Sequence, residues 1–283
     1  MQQQDSTWPG LIRKSIHKTG EMLPAIGAGS WIQFDVGESH NERSPLLQVL
    51  KVMLEKGGTM IDSSPMYGNA EEVIGDLSQA TKEADSFFYA TKVWTSGKEN
   101  GISQMFDSFK KMRRNKIDLM QIHNLVDWKT HIKTLQKWKE EGRIRYTGIT
   151  HYTIHAHDEL EKLVKTDLFD FVQFNYSIRV RNSERRLLQS CLDHGVSVII
   201  NEPFEKGALF STVKGKKLPP WAAMYDIHSF AQFFLKFIIS HPAVSCAIPG
   251  TSNPQHMLDN MNACYGRLPD EKTRLQMIRW IES

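Results

Sequence analysis

Residues 87–123, FFYATKVWTSGKENGISQMFDSFKKMRRNKIDLMQIH, contain two short apolar runs separated by a longer amphipathic stretch. The runs at 87–93 and 117–123 have the near-continuous apolar character of strands buried on both faces of a parallel sheet. Between them, apolar side chains recur from Ile102 to Met112 at the spacing of an amphipathic helix. The stretch therefore predicts one strand–helix–strand unit.

The same alternation recurs along the whole chain, at about 30 residues a repeat. The predicted strands are 25–31, 59–64, 87–93, 117–123, 146–151, 169–175, 196–202 and 244–250. Eight such units predict an α/β fold, a closed (β/α)₈ barrel that forms one domain over residues 1–283. An open doubly wound sheet is the alternative, but the first strand is not followed by the G-x-G-x-x-G turn typical of that fold, and no linker divides the chain.

Two segments lie outside the repeat, at the two ends of the chain. Residues 12–23 alternate around Thr19-Gly20 and predict a β-hairpin before the first barrel strand, and residues 269–283 predict an additional C-terminal helix. The longest connection, 205–226, follows the seventh strand. A loop of this length in a compact domain is usually functional.

Composition excludes several classes of protein. The 35 Lys and Arg residues against 32 Asp and Glu residues give a net charge of +3 and are not gathered in one segment, so we expect no nucleic-acid partner. The most apolar stretch, FAQFFLKFIIS, is too short to span a bilayer, and we expect no membrane partner.

Targeting signals and cysteines give an expectation for location. The first ten residues, MQQQDSTWPG, lack the apolar core of a signal peptide. Cys191, Cys246 and Cys264 match neither a disulfide framework nor a zinc motif. We expect a cytoplasmic protein; the sequence sets no oligomeric state.

Polar side chains end three consecutive predicted strands. Asp62, Lys92 and His123 end the second, third and fourth strands, and Tyr67 follows Asp62 in the same loop. The active sites of (β/α)₈ barrels lie at the carboxyl ends of the strands, which are about 4.8 Å apart. Each residue taken alone would be read as part of a structural ion pair. Their convergence on neighbouring strand ends favours a functional site.

These four side chains have the properties that carbonyl reduction needs. A phenol has an ordinary pKa of about 10, and we expect the Lys92 ammonium to lower the pKa of Tyr67 and make it a better proton donor. Asp62 would keep Lys92 charged and in place, and His123 would donate a hydrogen bond to the substrate oxygen. An acid, a cation and a donor around one oxygen suit a reaction in which a hydride arrives as a proton is given.

Five motifs resemble those of the aldo-keto reductase family and occur in the order found in that family. They are MIDSSPMYG (60–68), YATKVW (89–94), DLMQIHN (118–124), VQFNYS (172–177) and AIPGTSNPQHMLDNM (247–261). The resemblance implies NAD(P)H-dependent reduction of aldehydes or ketones on a (β/α)₈ barrel. It implies that Tyr67 is the general acid, that Lys92 and Asp62 tune it, and that His123 orients the carbonyl.

The resemblance also implies a nicotinamide cofactor site along the strand ends. The implied contacts are Gly29, Ser30, Trp31, Asp62, Thr150, His151, Gln173, Asn201, Pro203, Phe204, Gly207, Leu209, Ile248, Pro249, Gly250, Thr251, Ser252, His256, Asp259 and Asn260. Thr150 and His151 stand where the family usually has Ser-Asn, and both can still form hydrogen bonds to a carboxamide. Asn201 stands where many members have the tyrosine that stacks on the nicotinamide, and Phe204 is the candidate replacement.

The last motif bears on the choice between NADPH and NADH. Members that prefer NADPH often have Lys and Arg where this chain has Gly250 and His256. A 2′-phosphate can instead be bound at a helix N-terminus, which residues 251–254, TSNP, are expected to provide. Ordinary helix capping is the alternative role of this segment. We predict NADPH as the preferred cofactor and NADH as a second one.

The implied substrate site has an open mouth and favours no particular carbonyl compound. Its predicted residues are Trp31, Tyr67, Trp94, His123 and Asn124.

Two other functions are compatible with parts of the sequence. His151, His155 and His157 form an H-x-x-x-H-x-H pattern that could indicate a metal-dependent hydrolase. On a helix, however, two-residue spacing points His155 and His157 apart, so we predict no metal site. A cofactor-binding regulatory or sensor barrel with little turnover is the second alternative, because a binding protein can retain ancestral catalytic residues.

Overall fold

The computed structural model describes residues 10–283; residues 1–9, over which the sequence predicts no signal peptide, lie outside the described part. Eight parallel strands form one sheet, and each pairs with the next along the chain. They are β3 (Ala28–Gly29), β4 (Met60–Asp62), β5 (Phe88–Val93), β6 (Ile117–His123), β7 (Ile144–Thr150), β8 (Phe171–Asn175), β9 (Ser197–Asn201) and β10 (Val244–Ala247). Each overlaps its predicted strand, so the barrel prediction is confirmed.

The sheet closes on itself between its first and last strands. Parallel bridges join Ile26 to Ala247 and Gly29 to Gly250. A Cβ atom at Gly29 would lie 2.8 Å from the carbonyl oxygen of Ile248, so a side chain at this position would push the two strands apart. Gly29 therefore has a structural role in closure, independent of the predicted cofactor contact.

Helices cover the outer face of the barrel. They are α1 (His40–Glu55), α2 (Ala70–Ala80), α3 (Lys98–Lys111), α4 (Trp128–Glu140), α5 (His157–Val164), α6 (Leu187–Asp193), α7 (Ala208–Thr212), α8 (Phe230–Ile239), α9 (Pro254–Asn262) and α10 (Glu271–Glu282). The long connection between β9 and α8 contains α7 and two 3₁₀ turns. No helix within residues 10–283 is both long and apolar enough to cross a membrane.

The predicted hairpin closes the amino end of the barrel. Strands β1 (Arg13–Ser15) and β2 (Met22–Pro24) pair antiparallel. Ile16 and Leu23 of the hairpin are buried in one cluster with the side chains that fill the barrel interior, among them Phe88. Because this end is plugged by apolar packing, only the carboxyl ends of the strands are free to form a site.

Candidate active site

A buried ion pair joins the ends of β4 and β5. The Lys92 side chain is fully buried, and its Nζ donates hydrogen bonds to Asp62 Oδ2 at 2.5 Å and to the Ser63 carbonyl oxygen at 2.6 Å. The other oxygen of Asp62 accepts from the amide nitrogens of Gln121 and Gln173, both at 2.9 Å. Burial opposes the charged form of Lys92, but the Asp62 carboxylate and the Tyr67 phenol together outweigh it and raise the pKa of Lys92. Lys92 is therefore a fixed ammonium.

Tyr67 lies directly above this ammonium. The Lys92 Nζ is 5.1 Å from the centroid of the Tyr67 ring. The loop turns at Gly68, which has a φ of +58° and packs where any side chain would collide with the Asp35 carboxylate. The Asp35 carboxylate in turn accepts a hydrogen bond from the Asn69 N–H at 2.9 Å. The Asp35 carboxylate thus fixes the turn that follows Tyr67, through its packing against Gly68 and its hydrogen bond from Asn69.

The expectation of a lowered pKa for Tyr67 is wrong for the free protein. Burial raises the pKa of Tyr67 above its ordinary value, and the Lys92 charge opposes this effect without overcoming it. The Asp62 carboxylate adds to the effect of burial because it destabilises a second negative charge nearby. Tyr67 is therefore held as a neutral phenol.

His123 is a neutral imidazole at the end of β6. Burial, followed by the charge of Lys92 and the nearby His151, lowers the pKa of His123 to about 2. Its Nδ1 lies within hydrogen-bond distance, 2.9 Å, of Ser64 Oγ, and the Met66 N–H donates a hydrogen bond to the same oxygen. The His123 and Tyr67 rings meet edge to face, with 5.7 Å between centroids.

Asp62, Tyr67 and His123 border one cavity of about 1120 Å³ at the carboxyl ends of the strands. The predicted site residues that line it are Gly29, Ser30, Trp31, Asp62, Tyr67, Trp94, His123, Asn124, Thr150, Gln173, Asn201, Pro203, Phe204, Gly207, Ile248, Pro249, Gly250, Thr251, His256, Asp259 and Asn260. The structure thus brings most of the expected catalytic, substrate and cofactor residues to a single space. Trp31 and Trp94 are 45% and 41% exposed, so the mouth is open at these side chains.

Four predicted residues do not line the cavity. The Lys92 side chain is fully buried and does not reach the surface of the cavity. Leu209 is fully buried in the hydrophobic core, because α7 turns this side chain inward. Ser252 faces a separate surface pocket. The His151 ring stacks on Tyr152, and its Nδ1 accepts backbone N–H groups of its own loop. The structure therefore offers no side-chain contact from Leu209, Ser252 or His151 into this cavity.

Sequence reasoning missed several lining residues, which come mostly from loops. They are Ile32, Gln33, Met66, Tyr152, Glu202, Lys206, Phe210, Ser229, Phe230 and Ala231. The length of the 205–226 connection was the one signal that pointed to Lys206 and Phe210. Phe204, the suggested replacement for a stacking tyrosine, packs its ring against Phe210 with 5.1 Å between centroids.

The Gln173 amide is engaged within the protein. Its nitrogen donates to Asp62, and its oxygen accepts from Thr150 Oγ1 at 3.2 Å and from Asn201 Nδ2 at 3.3 Å. Asn201 Oδ1 and Asn124 Oδ1 are buried and have no hydrogen-bond partner in the described part of the chain. Both residues line the cavity through other atoms, because these two oxygens have almost no accessible surface.

The three histidines of the H-x-x-x-H-x-H pattern have separate surroundings. His157 Nε2 pairs with Asn175 Oδ1 at 2.9 Å, His151 stacks on Tyr152, and His155 is exposed on a 3₁₀ turn. Over residues 10–283, no group of three or more His, Cys, Asp or Glu side chains is arranged to hold a metal ion.

The sequence comparison agrees with the barrel and with the clustering of these side chains. The model of the aldo/keto reductase family matches residues 25–276, and the chain belongs to this family. It is 27% identical to methylglyoxal reductase YeaE of Escherichia coli, over 88% of this chain and 89% of that protein. It is 25% identical to a 9,11-endoperoxide prostaglandin H2 reductase of Trypanosoma cruzi, over 89% and 86%.

Solved structures show the same fold. An aldo/keto reductase from Klebsiella pneumoniae, crystallised with NADP and acetate, superposes with a TM-score of 0.79 at 22% identity, covering 96% of both chains.

Proposed function

We propose that this protein reduces aldehyde or ketone carbonyls to alcohols, with NADPH as the preferred hydride donor and NADH as a second one. The observation that carries the proposal is that Asp62, Tyr67 and His123 meet at one edge of a single cavity, with the buried Lys92 ammonium against Asp62 and Tyr67. Membership of the aldo/keto reductase family supports the reaction class. Relatives crystallised with NADP or NADPH support the cofactor.

The cavity has the groups that a nicotinamide dinucleotide needs. The cofactor, when bound, supplies the hydride. Thr150, Gln173 and Asn201 line the cavity, and their hydroxyl and amide groups suit the hydrogen bonds of a carboxamide. At the other end, Thr251, His256 and Asn260 line the cavity beside the start of α9. Here the Asn253 side chain caps the helix by accepting the Gln255 N–H, and Thr251 Oγ1 accepts the Asn253 N–H, so this segment has its alternative role as a cap. His256 lines the cavity next to the cap.

Side chains of the protein supply the proton that the substrate oxygen receives. We assign the tautomer in which His123 carries its proton on Nε2 and its Nδ1 accepts from Ser64 Oγ, 2.9 Å away, because this tautomer leaves an N–H free for the substrate. This N–H holds the substrate oxygen. As negative charge develops on that oxygen, Tyr67 donates its proton, because an alkoxide is more basic than a phenolate. Lys92 stabilises the phenolate that remains.

The residues at the mouth of the cavity and the activities named for the relatives support a class of substrate. Trp31, Met66 and Trp94 are exposed apolar side chains at the rim, and Asn124 is a polar residue of the same cavity lining. Relatives named methylglyoxal reductase and glyoxal reductase support a small aldehyde as substrate. All three cysteines are buried and free, which supports the proposed cytoplasmic location.

A direct assay separates the reductase from a sensor barrel. We expect oxidation of NADPH, followed by its absorbance, when the purified protein is mixed with methylglyoxal or 4-nitrobenzaldehyde. The same assay with NADH measures the cofactor preference. Tight cofactor binding without turnover of any carbonyl compound would overturn the reductase and favour the sensor. A stoichiometric metal ion in protein purified without chelator would instead favour a hydrolase.

The pH profile of reduction is a further prediction. Tyr67 must be protonated to act, and because burial raises its pKa it keeps its proton to a higher pH than a free phenol. The pKa of His123, about 2, keeps the imidazole neutral throughout. We therefore expect kcat for reduction to be constant from about pH 6 to pH 9 and to fall only above about pH 10. A fall centred near pH 7 would contradict both assignments.

A further inference from the structure

The four residues after β5, 94–97, here called the Trp94 segment, bring an indole ring to the mouth of the cavity. The Trp94 side chain is exposed there, and its ring centroid lies 6.4 Å from that of His123. When His123 holds the oxygen of an aldehyde, the Trp94 ring therefore lies close to the group on the carbonyl carbon. Such a wall binds best if it is fixed beforehand, because ordering a free side chain costs conformational entropy.

Gln104 of α3 holds both polar groups of the Trp94 backbone. The Trp94 N–H donates to Gln104 Oε1 at 2.6 Å, and Gln104 Nε2 donates to the Trp94 carbonyl oxygen at 3.2 Å. Strand β5 ends at Val93, one residue earlier. The amide of one side chain, which is both a donor and an acceptor, thus replaces for Trp94 the pairing that a neighbouring strand would provide.

The other three residues of the Trp94 segment are also held by side chains from outside it. The bonds run from His131 Nε2 to the Thr95 carbonyl oxygen (2.6 Å), from Asn100 Nδ2 to the Ser96 carbonyl oxygen (3.1 Å) and from the Gly97 N–H to Asp127 Oδ2 (2.8 Å). These side chains come from α3, from α4 and from the residue before α4. A loop fixed at each residue has lost much of its freedom before a ligand arrives, and this preorganisation lowers the entropic cost of binding.

We propose that Gln104 is a positioning residue that fixes Trp94 as a wall of the substrate site, and that it thereby favours carbonyl compounds with a flat aromatic group over small ones. The inference rests on the proposed function, because it takes a carbonyl compound as the ligand. Gln104 does not itself line the cavity, so it acts through Trp94. An aromatic substituent can pack on the indole ring, whereas methylglyoxal has no ring to place there.

Gln104 is a better position for a variant than His131. The His131 side chain is fully buried, and a side chain at Gly101 would collide with its ring, so α3 and α4 pack closely at this point. Replacing His131 would disturb that packing. Gln104 is only partly buried, and Gln104→Met removes both hydrogen bonds while it keeps a side chain of similar length. We therefore expect Gln104→Met to fold.

The test compares 4-nitrobenzaldehyde with methylglyoxal. Calorimetry measures the Kd of 4-nitrobenzaldehyde for the NADP⁺ complex, in which no hydride is available, and the NADPH assay gives KM and kcat for both compounds. We expect Gln104→Met to raise Kd and KM for 4-nitrobenzaldehyde about threefold, with a smaller rise in KM for methylglyoxal, and to act on KM rather than on kcat. Hydrogen exchange at the Trp94 amide should be about tenfold faster, because this N–H loses its acceptor.

Trp94→Ala tests whether Gln104 acts through the ring. This variant should raise the Kd of 4-nitrobenzaldehyde about tenfold, because the aromatic contact is lost. In a protein that already carries Trp94→Ala, Gln104→Met should not raise that Kd further, since residues that act through one contact are not additive.

Gln189→Met is the matched control. Gln189 is an exposed glutamine of α6 that donates to Asp193 Oδ1 at 2.8 Å and does not line the cavity. Its replacement should leave Kd, KM, kcat and the exchange rate of the Trp94 amide unchanged.

Three results would overturn the inference. They are equal changes in KM for the two compounds in Gln104→Met, additive effects of Gln104→Met and Trp94→Ala on the Kd of 4-nitrobenzaldehyde, and an unchanged exchange rate at the Trp94 amide in Gln104→Met. A wild type that binds 4-nitrobenzaldehyde but reduces no carbonyl compound would overturn the proposed reduction alone, because the Kd values would still measure the wall. A wild type that neither binds nor reduces it would overturn both.

Discussion

Tyr67→Phe is expected to reduce kcat by about a thousandfold while the fold and the cofactor affinity remain, since general acid catalysis contributes on the order of 10²–10⁴. The variant removes one oxygen and keeps the ring that packs edge to face against His123. Without the phenol proton, the carbonyl carbon would still receive the hydride, but the carbonyl oxygen would have to take its proton from water. Steady-state rates with NADPH and a saturating aldehyde measure the loss, and cofactor titration measures the retained affinity.

Tyr265→Phe is the matched control for this variant. The Tyr265 hydroxyl donates a hydrogen bond to the Lys56 carbonyl oxygen, outside the cavity. Its loss should cost about 1 kcal/mol of stability and leave kcat unchanged. Equal turnover in Tyr67→Phe and Tyr265→Phe would show that another group donates the proton, and the assignment of Tyr67 would fail.

Lys92→Met is expected to abolish most activity and also to destabilise the protein by about 3–5 kcal/mol, because it leaves the buried Asp62 carboxylate without its ammonium. Two amide donors, from Gln121 and Gln173, remain on Asp62 but bring no positive charge. The Tyr67 phenolate would also lose the charge that stabilises it. Urea unfolding measures the free energy of unfolding, and the NADPH assay measures kcat.

The double variant Lys92→Met with Asp62→Asn separates the two roles. It removes the stranded charge, so we expect much of the stability to return while kcat stays low. If kcat returned together with stability, the Asp62–Lys92 pair would be a structural ion pair with no part in the reaction, as each residue considered alone would suggest.

The barrel and the position of its site could be predicted because both depend on local patterns. Strands such as β6, IDLMQIH, are apolar on both faces, and the helices between them have a regular apolar face. Once eight units are recognised, the rule that strand carboxyl ends form the site places Asp62, Lys92 and His123 together. No long-range information was needed for this step.

The electrostatics of the site could not be predicted in the same way. The sequence pointed to a Tyr67 pKa lowered by Lys92, but the structure buries the phenol, and the desolvation that results outweighs the ammonium. Desolvation depends on every atom around a group, and those atoms come from distant parts of the chain. For the same reason, the hydrogen bonds that Gln121 and Gln173 give to Asp62 were not foreseen.

The sequence by itself determined the fold class, the family resemblance and the end of the barrel at which the reacting groups meet, because periodicity and residue order along a strand are properties of neighbouring residues. The tertiary structure decided that Leu209 is buried in the core, that Tyr67 is held as a neutral phenol, and that Lys206 lies between Trp31 and Tyr152. These features arise where loops from different strands meet, and the distances between such loops are set only when the barrel closes.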